Sequence, residues 1–382
     1  MSRPGDGGLA IAVVGLGFGA AFVPLYLSHP EVTRVVAVDS DRDRLAQTAA
    51  TFGIEQTAGD VREVLDDPAV DAVHLLTPVS THADLTVAAL DAGKHVACAV
   101  PLGTSLGDVR RVLEAQARSG RTYMMMETAV FAREHREIAR MIAVGDLGEL
   151  TYYRGFHIQN LDGFPAYWQG FPPMHYATHA LTPILSLLGT TVQRVTGTGS
   201  GRLVPHRRIG GYTNDFPTEV ALFTMHDSPV VADVTVAFSQ TARAYVEGYN
   251  VYGTRRGVEW PVNNVGPLTV HDMAAPEEGR RGNPVTTWDL HPQDEVADLP
   301  ATLRPFVSGA SYEAATGQQT WVEPHHGGSH AFLVHEFVDS IVTGRRPIVD
   351  VQTAADWTVP GICAHESAMG GGIAVEVPRL RP

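Results

Sequence analysis

Apolar residues fall along the first third of the chain in short, unbroken runs separated by amphipathic stretches. LAIAVVGLG (from residue 9), VTRVVAVD, DAVHLLTP and KHVACAV read as buried strands, and DRDRLAQTAATFG, DVREVLDD and THADLTVAALDAG as helices between them. Strands that are apolar throughout and alternate with helices predict a parallel sheet covered on both faces. The rhythm changes near residue 150. TYYRGFHI, VQRVTGTG, EVALFTMH, PVVADVTVAFS and AYVEGYNVYGT follow one another with few helical stretches between, which predicts an antiparallel sheet. Residues 262–325 are rich in Pro, Gly and charge and read as loops or lids. Ser329 is then a fitting N-cap for a helix whose Phe332, Leu333, Phe337, Val338 and Ile341 share one face and which ends at Gly344. A second helix over 352–369 is placed to pack back on the first domain.

Composition narrows the class. The chain has 382 residues, 44% hydrophobic and 18% charged, the profile of a folded protein long enough for two domains. A net charge of −14 argues against nucleic acid or an anionic membrane as partner. Cys98 and Cys363, the two cysteines, sit in no metal-ligand or CxxC spacing, which fits a reducing compartment. The opening MSRPGDGG lacks the apolar stretch of a signal peptide, and no later run reaches the ~20 residues that span a bilayer. The expectation is a cytoplasmic protein.

The first candidate chemistry follows the first strand. GLGFGA, from Gly15 to Ala20, fits G-x-G-x-x-A. Gly15 would permit the tight turn, Gly17 and Phe18 would present backbone to a pyrophosphate, and Ala20 is small enough for close helix–strand packing. Glycine clusters also occur in ordinary turns. The weight here comes from the strand before, the helix after, and Asp39 at the end of the second strand, where a carboxylate accepts hydrogen bonds from ribose hydroxyls. NAD is the expected cofactor, although Ser40, Arg42 and Arg44 leave room for a 2′-phosphate. Pro24 is expected to kink the first helix.

TPVSTH (Thr77, Pro78 to His82), AALDAGKHVACAVPLG, VGDLGEL, VYGT from Val251 and HEFVDSIVTGRRP together resemble the glucose–fructose oxidoreductase and inositol dehydrogenase (Gfo/Idh/MocA) family over nearly the whole chain. The resemblance implies an α/β Rossmann domain over residues 1–127 and an α+β domain with a large, open, mostly antiparallel sheet over 128–382. It also implies a homo-oligomer, with Thr77, Pro78 and His82 beside the cofactor. Two departures stand out. Family dehydrogenases carry Glu-Lys-Pro after the fifth strand; this chain reads Ala99-Val100-Pro101, and Val100 beside the cofactor cannot transfer a proton. The family's Asp and His four residues apart become His175 and His179 in MHYATHALTP. Tyr176-x-Thr178-His179 and Pro183 resemble the NAD-dependent glycosidases of the superfamily, such as the α-N-acetylgalactosaminidases, which also lack the lysine.

That resemblance implies hydrolysis through transient oxidation at sugar carbon 3, with His179 and Tyr176 as proton-transfer residues. His175, Thr178, Glu127, His157 and Trp168 are candidate substrate contacts, the tryptophan by stacking on a pyranose ring. Each has a plainer reading as capping or core. Arg133 is a further pocket candidate. Arg207-Arg208 and His325-His326 read as either solvated loops or an anion subsite, and His74 as core. His175 and His179 would share a helix face and could hold zinc, but no third ligand motif accompanies them, so no metal is expected. A net sugar or polyol dehydrogenase and a non-enzymatic NAD-binding regulator stay open as alternatives.

Overall fold

The computed structural model describes residues 8–382, so the N-terminal segment read for a signal peptide lies almost wholly outside the described residues. Contacts gather the chain into two compact units. One holds the chain up to Ala132 with Asp294–Ala355 and Leu380–Pro382; the other holds Arg133–Gln293 and Asp356–Arg379. The first crossing between the units falls after Ala132. The return of 294–355 to the first unit is not visible in a linear reading of the chain.

The first unit carries strands β1 (Leu9–Val14), β2 (Val32–Val38), β3 (Gln56–Ala58), β4 (Ala72–Leu75), β5 (His95–Cys98) and β6 (Tyr123–Met125). They form a parallel sheet in the order β3-β2-β1-β4-β5-β6, so the strand order reverses at β1/β4, where such sheets bind ligands. Every residue of β1 is buried, as its unbroken apolar run requires. Local signals set the helix ends. The Asp41 side chain accepts the Asp43 and Arg44 amides at the start of Arg42–Phe52, and Gly53 closes that helix in the left-handed region. Asp60 and Glu63 form a capping box on Val61–Asp66. The segment after the first cofactor glycine is broken into Leu16–Gly19, a 3₁₀ turn and Val23–Ser28, with Pro24 in the first turn of the last piece.

Two expectations for the late segment are corrected. Ser329 is not an N-cap: His326, Gly327 and Gly328 take left-handed angles, Ser329 already lies inside the helical span His325–Thr343, and its buried Oγ has no hydrogen-bond partner. Residues 262–325 are not only loops, since they contribute two sheet strands and the hairpin Ala310–Glu313/Gln319–Val322. Gly344 does end its helix, at φ 69°.

The second unit is built on β7 (Leu150–Ile158), β8 (Val192–Ser200), β9 (Thr218–Met225), β10 (Ser228–Ala237), β11 (Val246–Gly253), β12 (Arg256–Glu259), β13 (Leu268–Met273) and β14 (Val285–Leu290). The sheet order is β14-β13-β12-β11-β7-β10-β9-β8, with Ala374–Glu376 on the outer edge of β8. All pairs are antiparallel except β7 with β10. Period-two alternation divides the faces: Tyr153, Gly155 and His157 of β7 are buried, while Tyr152 and Arg154 point the other way and meet Asp233.

The helix Thr178–Leu188 lies on the buried face. Ala180, Leu181, Ile184 and Leu185 are at most 1% exposed, and each large side chain among them contributes about 1.5–3 kcal/mol on burial. Tyr153 Oη donates to the Ala180 carbonyl at 2.6 Å. Gly155 lets the helix come this close, since a Cβ there would run into the same carbonyl oxygen. Among the described residues no helix is long and apolar enough to cross a membrane.

Candidate active site

Each unit carries one half of the candidate chemistry. In the first, Gly15 turns the chain out of β1 at φ 90°, and a Cβ there would stand 2.7 Å from the Leu76 carbonyl oxygen. A Cβ on Gly17 would meet nothing within 4 Å. Gly15 is therefore required by the protein itself, whereas Gly17 leaves space open in front of the loop, as backbone approach to a pyrophosphate needs. Phe18 is 46% exposed beside that space.

Asp39 is buried at the end of β2. Its Oδ2 accepts the Leu16 amide at 2.8 Å and its Oδ1 the Asp41 amide at 2.8 Å. Arg44 is bound to Asp39 at 3.1 Å and to Asp41 at 3.0 Å, so its guanidinium is already paired rather than offered to a 2′-phosphate. Ser40 is exposed beside them. These residues fit NAD. Asp39→Ala is expected to weaken NAD binding about tenfold to hundredfold, the worth of charged hydrogen bonds at ~1.5–3 kcal/mol, and to narrow the preference over NADP. Fluorescence titration with both dinucleotides checks this; an unchanged NAD/NADP ratio would contradict it.

His82 ties together the turns that follow β4 and β5. Its Nδ1 lies 2.8 Å from the Pro101 carbonyl oxygen and its Nε2 2.9 Å from that of Thr77. Carbonyls only accept, so both ring nitrogens carry protons and the buried ring is an imidazolium. Burial opposes that charge, but neighbouring Cys98 and the two carbonyls outweigh it and raise the pKa to about 9. The clamp is complete below the ordinary histidine range and is lost as pH rises through about 9. NAD affinity is expected to fall across that interval in the native protein and to show no such step in His82→Asn. Thr77 Oγ1 bonds Thr81 Oγ1 at 2.7 Å, and Val100 is 3% exposed and offers no proton. Glu127, fully buried, caps the 3₁₀ turn Thr128–Val130 through Ala129 N at 3.0 Å.

The second unit gathers proton-transfer groups on the helix-covered face of its sheet. His157 of β7 and Glu247 of β11 are paired in register on adjacent antiparallel strands, so both point to the same side. His179, in the first turn of the covering helix, meets them there. Its Nδ1 is 3.7 Å from Glu247 Oε1 and its ring 5.4 Å from that of His157. Tyr245 donates to the other Glu247 oxygen at 2.5 Å. Tyr176 lies 5.1 Å from His179 and 5.7 Å from His157, ring to ring. Trp168 stands 5.4 Å from Tyr176, with Phe171 and Phe238 completing an aromatic wall. His179, His157 and Glu247 are all at least nine-tenths buried, where charge interactions are far stronger than in water.

Of the residues expected from sequence, Tyr176, His179, His157 and Trp168 are thus brought together. Thr178 starts the same helix, with its Oγ1 buried. His175 is not in the cluster. It belongs to the preceding 3₁₀ turn Pro173–Tyr176 rather than to the helix of His179, and its ring packs on His365 and Phe171. The shared helix face suggested for a zinc pair therefore does not form. Arg133 starts another helix, and Arg207 is paired with Asp162. Glu247 and Tyr245 were not anticipated. The available signal was an acid in an otherwise apolar strand at the period-two spacing of Tyr245, Glu247 and Tyr249.

The fold and the glycine loop define a dinucleotide-binding oxidoreductase. Residues 9–127 match the Gfo/Idh/MocA oxidoreductase family, NAD-binding Rossmann fold. A glycosyl hydrolase family 109 protein of Streptomyces niveus is 23% identical over 96% of this chain and 76% of its own length. The 4-carboxy-2-hydroxymuconate-6-semialdehyde dehydrogenase of Sphingobium sp. is 29% identical, and the match spans 48% of this chain and 61% of that protein. Levoglucosan dehydrogenase, solved with NADH and levoglucosan, shares the fold at a TM-score of 0.74 and 20% identity, over 97% of this chain and 100% of its own.

Proposed function

We propose that the chain is an NAD-dependent glycoside hydrolase that works by transient oxidation. The observation that carries this is the cluster of Tyr176 with the buried His179 and Glu247 in a chain with Val100 where the dehydrogenase lysine would stand. The glycosyl hydrolase relative, matched over almost the whole chain, supports the same reading.

In this account His179 takes the proton of the sugar hydroxyl at carbon 3, and Glu247 stabilises the imidazolium that forms. NAD, which Gly15, Gly17 and Asp39 would hold, would supply reversible hydride transfer at carbon 3. The ketone so formed acidifies the hydrogen on carbon 2. As the bond from carbon 1 to the aglycone oxygen breaks, its electron pair leaves with the aglycone; Tyr176 gives its phenol proton to that oxygen and takes the carbon 2 proton in its place, so the aglycone departs as an alcohol. Water adds at carbon 1, carbon 2 regains a proton, and His179 returns its proton to the carbon 3 oxygen. The sum is glycoside plus water giving sugar plus alcohol, with no net oxidation. Trp168 supplies a stacking face for the sugar, and His157 lies within reach of its hydroxyls. A homo-oligomer is part of the proposal and is checked by light scattering.

Purified protein is assayed against nitrophenyl glycosides, following phenol release and NADH absorbance together. Phenol release without NADH accumulation supports the proposal. NADH build-up from free sugars or polyols without phenol release would replace it with the second reading, a net dehydrogenase, which the dehydrogenase relative favours.

A further inference from the structure

The second unit buries another ionisable pair, apart from the cluster around His179. Glu219, on the inward face of β9, is fully buried; His365, on the helix Val351–Met369, is 8% exposed. His365 Nδ1 lies 2.7 Å from Glu219 Oε1, and its Nε2 lies 2.9 Å from the Thr213 carbonyl oxygen. The carbonyl only accepts, so Nε2 carries a proton. The second Glu219 oxygen accepts the Met174 amide at 2.8 Å, and the first is left to accept from Nδ1, which therefore carries a proton as well. The pair is an imidazolium held against a carboxylate.

Met174 stands directly before His175 and Tyr176 in the 3₁₀ turn Pro173–Tyr176, and the helix carrying His179 begins at Thr178. A Cβ on Gly361 would strike the Met174 carbonyl oxygen, so the helix of His365 lies hard against that turn. His175 packs edge-on against His365 at 4.9 Å, and its buried Nδ1 has no hydrogen-bond partner.

We propose that Glu219 and His365 are positioning residues for the reaction: their buried ion pair grips the Met174 amide and so fixes where Tyr176 and His179 stand. This rests on the reading of Tyr176 and His179 as the proton-transfer groups. A pair kept only for packing gains little over apolar residues of the same volume, because two charges must be taken out of water. What an apolar pair could not do is bind a backbone amide. That bond is the direct link from the ion pair to the turn.

The arrangement has a pH signature. Burial disfavours the charged His365 ring, but Glu219 and the Thr213 carbonyl outweigh it and raise its pKa. Burial, with His365 adding to it, pushes His175 down to about 3. The titratable groups facing His365 are thus a carboxylate and a neutral imidazole. The grip is complete below the ordinary histidine range and is lost as pH rises through the raised value of His365.

The test uses the full-length protein with NAD. In ¹⁵N-histidine-labelled protein, two rings, those of His82 and His365, are expected to keep both nitrogens protonated through the ordinary histidine range, and one of the two signals is expected to vanish in His365→Leu and to remain in His82→Asn. His365→Leu and Glu219→Gln are expected to lower kcat about tenfold or more, with NAD affinity unchanged and the alkaline limb of the kcat profile displaced. His365→Gln, whose amide still donates to Glu219, is expected to recover part of the loss. If no doubly protonated ring is lost from the spectrum in His365→Leu, or if the variants keep native kcat and alkaline limb, the proposal falls. Should His365→Leu not fold, Glu219→Gln and the spectrum of His82→Asn, in which one doubly protonated ring is expected to remain, decide. The spectra do not depend on turnover, so failure of the glycosidase reading would leave them intact and is told apart from failure of this one.

Discussion

His179→Ala is expected to cut turnover by roughly 10²–10⁴-fold, the usual worth of a positioned general base, with NAD affinity unchanged. The expectation follows from where the residue sits. His179 is 5% exposed and faces Glu247 at 3.7 Å, an ion-pair distance once the ring gains a proton. Tyr245 holds the far oxygen of the same carboxylate. Removing the imidazole leaves a buried carboxylate beside an empty space and no ring nitrogen to take the hydroxyl proton. Glu247→Gln is expected to fall between native and His179→Ala, because it keeps the shape and removes the charge. Steady-state kinetics with NAD titration check both. A His179→Ala protein with near-native kcat would remove this residue from the mechanism.

Gly155→Ala has the second large effect, and it acts through packing. The added methyl would collide with the Ala180 carbonyl oxygen and stand 3.0 Å from the Tyr153 ring. Overpacking costs about 1–3 kcal/mol where side chains can yield. Here the obstacle is backbone of the helix that carries His179, so the upper end applies. For a unit of this size each kcal/mol is worth about 2–4 °C, giving a fall in Tm of roughly 6–12 °C. The helix shift that relieves the clash also displaces His179, so kcat is expected to drop in the protein that does fold. Calorimetry and kinetics on the same preparation test this. A substitution without effect on either would mean that the helix does not rest on β7 at this point.

Much of this was legible in the sequence, for identifiable reasons. LAIAVV and the runs after it are apolar throughout because both faces of the parallel sheet are covered, and GLGFGA stands at the turn where its glycines are needed. Gly344 ends its helix as its chemistry suggests. Tyr176 and His179 were singled out by the resemblance of Tyr176-x-Thr178-His179 to the NAD-dependent glycosidases, and they are near neighbours in the chain. Glu247 was not, because it reaches His179 across sixty-eight positions through strand register, which no local pattern reports. Glu219 and His365 are farther apart still. His175 was misplaced because spacing of four implies a shared helix face only if one helix spans both residues, and here a 3₁₀ turn intervenes. Ser329 looked like a cap because its residue type fits, but the left-handed run before it carries the chain into the helix by another route.

The central claim is that a glycosidic bond is cleaved by way of a ketone at carbon 3 and loss of the proton on carbon 2. It is tested most directly by running the hydrolysis in deuterium oxide with NAD and reading the released sugar by proton NMR and mass. The account predicts one deuterium at carbon 2, taken up when water's deuteron replaces the abstracted proton. It predicts none at carbon 3, where the original hydride returns. Released sugar with no deuterium at carbon 2 would contradict the account and leave direct displacement at carbon 1 as the route.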